Sequence, residues 1–472
     1  MSNNFLRTKI AIAAAASLMV AGSMPAHGAG FQLNESSASG LGNAFAGGAA
    51  AAEDASTLWS NVAGMSRLRS NQVVGVLHLV TPAMKFSDSG SKAALNQPLG
   101  GNGGDAGGVN PVPNLYLVMP IDSTWSAGFG LTAPWGLVSE YENGWAGRFQ
   151  AIRSAIQTIN FNPSVSWKPA GNVALGLGLN FQYMEGEFTN QVNYSAALLG
   201  AAGLAVQAGR LPAAAVPGIA AATPGLETSA KVKGSDYGTG WNIGVLWDLD
   251  PNTRLGAQYR SAISYRLSGD ATFTNPALPS LPPTLAPVVA GLANAVNTSV
   301  LYNSGIDSDV KMPEIVNLSF FRTVSGQWDV MADAQWTGWS SIQALTFVRS
   351  SGTLLQSTPL NFKSGWKFAG GANYRPGGAW MWRGGVAFDQ SPVQDEFRTA
   401  RLPDADRTWL TAGGQYKMDQ KFKFDFGAAY IWVKDAPINN NGGDATGAAY
   451  GVLKGNYNSN TVIVSGQATW TF

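Results

Sequence analysis

The residues that could do chemistry in this chain are one histidine and a small set of charges. The 472-residue sequence holds two histidines and no cysteine. His27 falls in a leader expected to be removed, which leaves His78. Thiolate nucleophiles, disulfides and cysteine metal sites are excluded. A hydrolytic triad or zinc site would rest on His78 alone. The other candidates are Arg260, Lys363, Lys367, Arg383 and Arg407, set against Asp329, Asp333, Asp389 and Asp425. Such cations either pair with acids or hold a ligand's carboxylate. No catalytic residue, metal ligand or cofactor is expected.

The elements that would position these charges repeat with a period of two. From Val462 to Phe472 the chain reads VIVSGQATWTF, with Val462, Val464, Gly466, Ala468, Trp470 and Phe472 on one face. One apolar and one polar face over about eleven residues match a strand between lipid and water. Trp380, Trp382, Val386 and Phe388 likewise oppose Arg383 and Asp389. Phe422, Phe424, Phe426, Tyr430 and Trp432 oppose Lys423 and Asp425. In the seventh strand Leu255, Ala257, Tyr259, Ile263, Tyr265 and Leu267 oppose Arg254, Gln258, Arg260, Ser264 and Arg266. A charge facing lipid at mid-membrane costs about 2–4 kcal/mol, so the charged parity is expected in the lumen.

Fourteen strands follow, near 72–86, 112–120, 124–138, 148–168, 172–190, 235–248, 253–269, 307–323, 327–346, 360–375, 379–390, 405–417, 421–433 and 459–472. Six short turns alternate with seven longer loops, as an up-and-down barrel with both termini in the periplasm requires. After the leader no run of 18 uninterrupted apolar residues occurs. A membrane protein of this sequence is therefore an all-β, fourteen-stranded antiparallel barrel.

Residues 1–28 read as a secretory signal peptide. Arg7 and Lys9 precede an apolar run from Ile10 to Val20, and cleavage is expected after Gly28. Losing two of 30 basic residues leaves 28 against 29 acidic ones, which argues against nucleic acid as a partner. Residues 29–70 are rich in small side chains and cannot form a core. Fourteen strands enclose a lumen too wide for wall side chains to fill. This segment is expected to fold inside residues 71–472 as an N-terminal hatch, or plug. The loops near 191–234 and 270–306 are rich in Ala, Leu, Val and Pro. They read as an apolar extracellular landing surface. In the third strand Pro134, Trp135 and Gly136 predict a kink, since proline cannot donate to a ladder.

In order along the chain, several stretches resemble the FadL family of outer-membrane transporters of long-chain fatty acids and other hydrophobic compounds. They are Ala29-Gly30-Phe31-Gln32-Leu33-Asn34-Glu35, Gly240-Trp241-Asn242, Tyr259-Arg260-Ser261, Met312-Pro313-Glu314, Ala387-Phe388-Asp389 and Leu402-Pro403-Asp404-Ala405-Asp406-Arg407-Thr408-Trp409-Leu410. The resemblance implies a bacterial outer-membrane monomer with no enzymatic activity and no energy-coupling partner. It implies an external groove, a lumen pocket and lateral release through a kinked third strand. Phe31, Leu33, Val62 and Trp409 are expected to touch a ligand's tail, and Arg260, Lys363 or Arg383 its carboxylate. The hatch motif departs from the family's Asn-Pro-Ala: here it is Asn61, Val62 and Ala63. Outer-membrane lipid and the assembly machinery, which would engage the strand ending at Phe472, are the expected partners. Monoaromatic hydrocarbons are the alternative substrate. A general aqueous porin and a His78-based hydrolase are the readings from other classes.

Overall fold

The structure, a computed structural model, describes residues 29–472; the leader read at 1–28 lies outside them. Twenty antiparallel segments form one closed sheet. Six strands are each broken once, which makes fourteen. They are β1 (Gln72–Asp88), β2 (Asn110–Pro120), β3 (Trp125–Thr132 and Gly136–Glu140), β4 (Arg153–Ala170), β5 (Val173–Asn193), β6 (Glu227–Asp250) and β7 (Thr253–Arg260 and Ile263–Thr274). After them come β8 (Ser304–Met312 and Ile315–Thr323), β9 (Trp328–Thr337 and Ala344–Arg349), β10 (Leu354–Pro359 and Gly365–Gly377), β11 (Trp380–Asp389), β12 (Arg407–Lys417), β13 (Phe422–Val433 and Ala436–Asn440) and β14 (Leu453–Thr471). β1 pairs β14 from Gln72↔Thr471 to Asp88↔Gly455, so the sheet has no free edge.

Short turns close one end. Asp122 Oδ1 accepts from the amides of Thr124 and Trp125, and Asp419 Oδ1 from those of Lys421 and Phe422. Such side-chain-to-backbone bonds fix tight turns. Trp125, Trp167, Trp247, Trp328, Trp380 and Phe422 stand outward just above this end. A second outward ring runs through Trp241, Tyr259, Trp336, Trp366, Phe388 and Trp432. Trp328 and Trp336 are eight residues apart on β9, about 26 Å along the strand at ~3.3 Å per residue. Tilt brings that near the height of an outer-membrane apolar band.

The charged parity faces inward on β11 and β13, where Arg383, Asp389 and Asp425 are buried. β7 departs from the expectation. Gln258 and Arg260 point inward, but so do Ile263, Tyr265 and Leu267, while Arg266 is on the outside and pairs with Asp307. The break at Ser261–Ala262 shifts the pleat by one residue, and one residue moves every later side chain to the other face. The Trp241 amide donates to Ser261 Oγ and the Ser261 amide to the Trp241 carbonyl, which fixes the bulge. Past the ring the outer surface meets water, so a charge there is no longer penalised.

Residues 31–68 lie inside the barrel and are largely buried. They form three single-turn helices, α1 (Ala38–Leu41), α2 (Gly48–Ala51) and α3 (Thr57–Ser60), then a 3₁₀ helix, Val62–Arg67. Outside the barrel, α4 (Tyr194–Gln207), α5 (Val216–Ala222) and α6 (Ala286–Ser299) pack on one another through Leu198, Ala202, Ile219, Val289 and Val296. Much of the apolar content of these two loops is thus buried within the loops themselves. Asn193 caps α4 and ties it to the carbonyls of Leu95 and Ala448.

Candidate functional site

The lumen divides into two chambers at the level of the outer ring. In the lower one the inward residues are polar and meet residues 31–68. Arg383 donates from one nitrogen to Asp425 Oδ1 at 2.6 Å and from another to Glu53 Oε2 at 2.8 Å, fully buried. Arg260 lies over the Trp59 ring at 3.9 Å and donates to the Trp59 carbonyl and to Asn180. Both cations are engaged in docking the N-terminal segment.

Asn61 holds its turn without the proline. Its Oδ1 accepts from the Ala63 amide at 3.0 Å, and its Nδ2 donates to the carbonyls of Ala49 and Val245. This cap supplies order that a ring would otherwise supply. Close approach is possible because β6 carries Gly244 there: a Cβ would sit 2.0 Å from Asn61 Oδ1. Val62 packs in an apolar cluster with Leu58, Met65 and Val74, away from the upper cavity.

The upper chamber is apolar and hollow. Its empty volume, counting the part open to solvent, is about 810 Å³, and Phe31, Leu137, Ile156, Met184, Phe188 and Leu267 are among its walls. Phe31 forms its floor, edge-on to Trp135 at 6.2 Å and Trp339 at 4.9 Å. Two cations reach it. Arg401, on the loop before β12, is buried, faces Phe188 at 5.4 Å, and donates to Ser154 Oγ and Asn190 Oδ1. Burial pushes its guanidinium down to about 10, so it stays charged at neutral pH. Its bonded partners are neutral, and among the described residues no carboxylate pairs with it. Lys311 stands at the rim.

The third strand is broken at Ala133–Trp135. β2 pairs β3 only over Leu115–Pro120, so Asn110–Asn114 and Gly136–Glu140 face each other without a ladder. Residues of the N-terminal segment stand in that gap. Gln32 bridges Trp135, the Leu33 amide donates to the Pro134 carbonyl, and the Gly136 amide donates to the Phe31 carbonyl.

The sequence-predicted residues are therefore dispersed. Phe31 borders the upper cavity. Leu33 and Trp409 share a separate buried cluster with Val80 and Ile431, and Lys367 Nζ lies over the Trp409 ring at 4.5 Å. Lys363 is exposed at the break in β10. Arg407 is held by Asp404, which also accepts from the Gly30 amide and Ser391 Oγ. His78 Nδ1 lies 2.5 Å from Ser465 Oγ in the wall. Arg401 was missed because parity along a strand says nothing about a loop that folds inward, and Lys311 because it stands on the outward parity of β8. The signal available for Arg401 was its place immediately before Leu402-Pro403-Asp404, within the stretch carrying the sharpest resemblance.

Comparison with known proteins places this geometry. The sequence pattern described as "Outer membrane protein transport protein (OMPP1/FadL/TodX)" matches residues 18–472. The chain is 31% identical over 439 residues to the long-chain fatty acid transport protein of Escherichia coli O6:H1, covering 91% of this chain and 92% of that one. Its fold is similar to the crystal structure of a Pseudomonas aeruginosa FadL homologue, with a TM-score of 0.80 at 24% identity, covering 94% and 100% of the two chains. It is also similar to the P. putida toluene transporter TodX, with a TM-score of 0.62 at 18% identity over 89% and 94%.

Proposed function

The chain belongs to the OMPP1/FadL/TodX family of outer-membrane transport proteins, and on that premise we propose that it carries long-chain fatty acids across the outer membrane by passive diffusion. The family is one of transporters of hydrophobic compounds, not of enzymes. The observation that carries the substrate class is Arg401: a buried cation without an acid partner on the wall of an apolar cavity. A fatty acid needs just this pairing of an apolar slot and a donor fork for its carboxylate. The cations lower in the lumen are already committed, Arg383 to two acids and Arg260 to Trp59 and Asn180.

Residues 29–70 act as the hatch in this reading, with Asn61, Val62 and Ala63 as its docking turn. Their packing of the lower chamber speaks against a general aqueous porin. The bowl between α4, α6 and the loop at 349–356 serves as the external groove, with an empty volume of about 1530 Å³. Release is lateral, through the gap at Pro134, Trp135 and Gly136, once Phe31–Leu33 withdraw from it. The protein acts as a monomer in outer-membrane lipid, and the assembly machinery reads the strand ending at Phe472.

Uptake by cells lacking their own transporter tests the substrate class. Labelled oleate is supplied in one arm and labelled toluene in the other. Oleate uptake that depends on this chain is the expected result. Uptake of toluene alone would discard the carboxylate role of Arg401 and leave a monoaromatic channel.

A further inference from the structure

The wall has a second opening, between β8 and β9. Ser304–Met312 pairs with β7 along its whole length, from Ser304↔Ala271 to Met312↔Ile263. Toward β9 it pairs only at Ile306↔Arg349 and Asp307↔Val348. The ladder resumes at Ile315↔Thr337. Among the described residues, Ser308–Met312 makes no strand pairing with β9. One side-chain bond crosses there, from Ser341 Oγ to the Lys311 carbonyl at 2.9 Å.

The cause lies in both strands. Pro313 follows Met312 and cannot donate, so the ladder is interrupted where β8 changes pleat. On β9 the chain turns inward at Gly338, and a 3₁₀ turn, Trp339–Ser341, buries Trp339 against Phe31, Trp135 and Phe362. β9 leaves the wall at that point and β8 does not follow. The cavity reaches the outside through the space left: Asp309 and Lys311 from β8 line it together with Ser341 and Ala344 from β9. Lys311 and Ala344 are themselves exposed.

Height decides what lies outside this cleft. Val316 stands in register between Tyr259 and Trp336 of the outer aromatic ring. Met312 is four residues beyond it, so the cleft opens level with lipid head groups rather than acyl chains. Of the two charges on the rim, Asp309 faces the Arg266 side of β8, where Arg266 pairs with Asp307. No acid pairs with Lys311 among the described residues.

We propose that this cleft is a side entrance, through which an anionic single-chain amphiphile resting in the outer leaflet passes its chain into the upper cavity while Lys311 holds its head. The inference rests on the fatty-acid reading above and adds a route from the membrane surface that does not pass through the external groove.

Obstructing an entrance slows arrival and departure alike, whereas filling a pocket weakens binding. That difference gives the test. The full chain is placed in lipid vesicles, and binding of the fluorescent fatty acid cis-parinaric acid is followed by stopped flow. The chain lacks cysteine, so Ala344→Cys offers a single site for a bulky maleimide, and Ala344→Trp gives an independent obstruction. Association and dissociation should both slow by about tenfold with the dissociation constant nearly unchanged. Lys311→Glu should slow association of the acid by about threefold and leave its methyl ester unaffected, as expected for a rim charge. Wild-type binding with unaltered rates in both obstructed proteins would overturn the entrance and leave the transport reading intact. A weaker dissociation constant with unchanged association would assign Ala344 to the pocket and also overturn it. Absence of binding to the wild-type chain would overturn the fatty-acid reading and the entrance with it.

Discussion

Below the outer ring the inward side chains include Asn160, Asn162, Asn180, Asn242, Arg260, Arg383 and Asp425; above it they include Ile156, Met184, Phe188, Tyr265 and Leu267. The lower set is joined by directional bonds, such as Asn162 to Asn242 at 2.9 Å and Asn180 to Asn242 at 3.0 Å. It also accepts one fixed guest, the N-terminal segment. The upper set is non-directional. Directional bonds specify one partner in one pose, because a buried polar group left unmatched is costly. Apolar walls accept any chain of suitable width. One barrel thus carries a lock and a pocket: on β4 and β5 they follow one another along an unbroken pleat, and on β7 a shift of pleat lies between them.

The comparison breaks most visibly at Arg383. Arg383→Met leaves Glu53 and Asp425 buried without their cation, a loss of about 3–5 kcal/mol. The N-terminal segment should leave the lower chamber, and single-channel conductance in planar bilayers should rise well above the wild-type level. Wild-type conductance would show that the salt-bridged triad does not hold the segment. A smaller effect of the same kind is expected from Gly244→Val, which drives side-chain atoms into Asn61 at about 1–3 kcal/mol. Partial opening, seen as intermittent conductance, checks it.

The upper chamber should respond in affinity and not in docking. Arg401→Met is expected to weaken oleate binding by about tenfold, equivalent to ~1.4 kcal/mol. Methyl oleate should bind as before and conductance should stay low. Equal losses for acid and ester would mean that Arg401 only shapes the wall. The smallest effect belongs to Arg266, whose side chain is 71% exposed beside Asp307. Arg266→Ala should alter thermal unfolding by less than about 1 kcal/mol. A large loss would place Arg266 in the lumen and contradict the pleat shift on β7.

Much of the barrel was legible because its constraint is simple. Lipid on one side and polar groups on the other impose a period of two, and Trp380, Trp382, Val386 and Phe388 obey it. The count of fourteen followed from alternating short and long connections. The change of face at Ser261–Ala262 was not legible, since Ile263, Tyr265 and Leu267 keep the numerical parity of Leu255 and Ala257. Only the bonds between Trp241 and Ser261 reveal the extra residue. The site was less legible still. The cations were expected either to pair with acids or to hold a carboxylate; Arg383 pairs with Asp425, while its second partner Glu53 lies 330 positions away and no local pattern links them. Phe31 borders the cavity, and nothing in its own sequence surroundings predicts Trp339 as its partner.

The docked segment also fixes an order of events in assembly. Ala38 donates its amide to Gln467 Oε1 across 429 positions, and Asp54 accepts from Gln467 Nε2 across 413. Gln467 belongs to β14, the strand that closes the sheet. Ala38 and Asp54 therefore lack these partners until the final strand is in place. Contacts of such separation form late, since closing so long a loop precedes any reward. The segment at 31–68 is thus the last of the described residues to settle, since the cylinder must close before that segment can dock fully inside it.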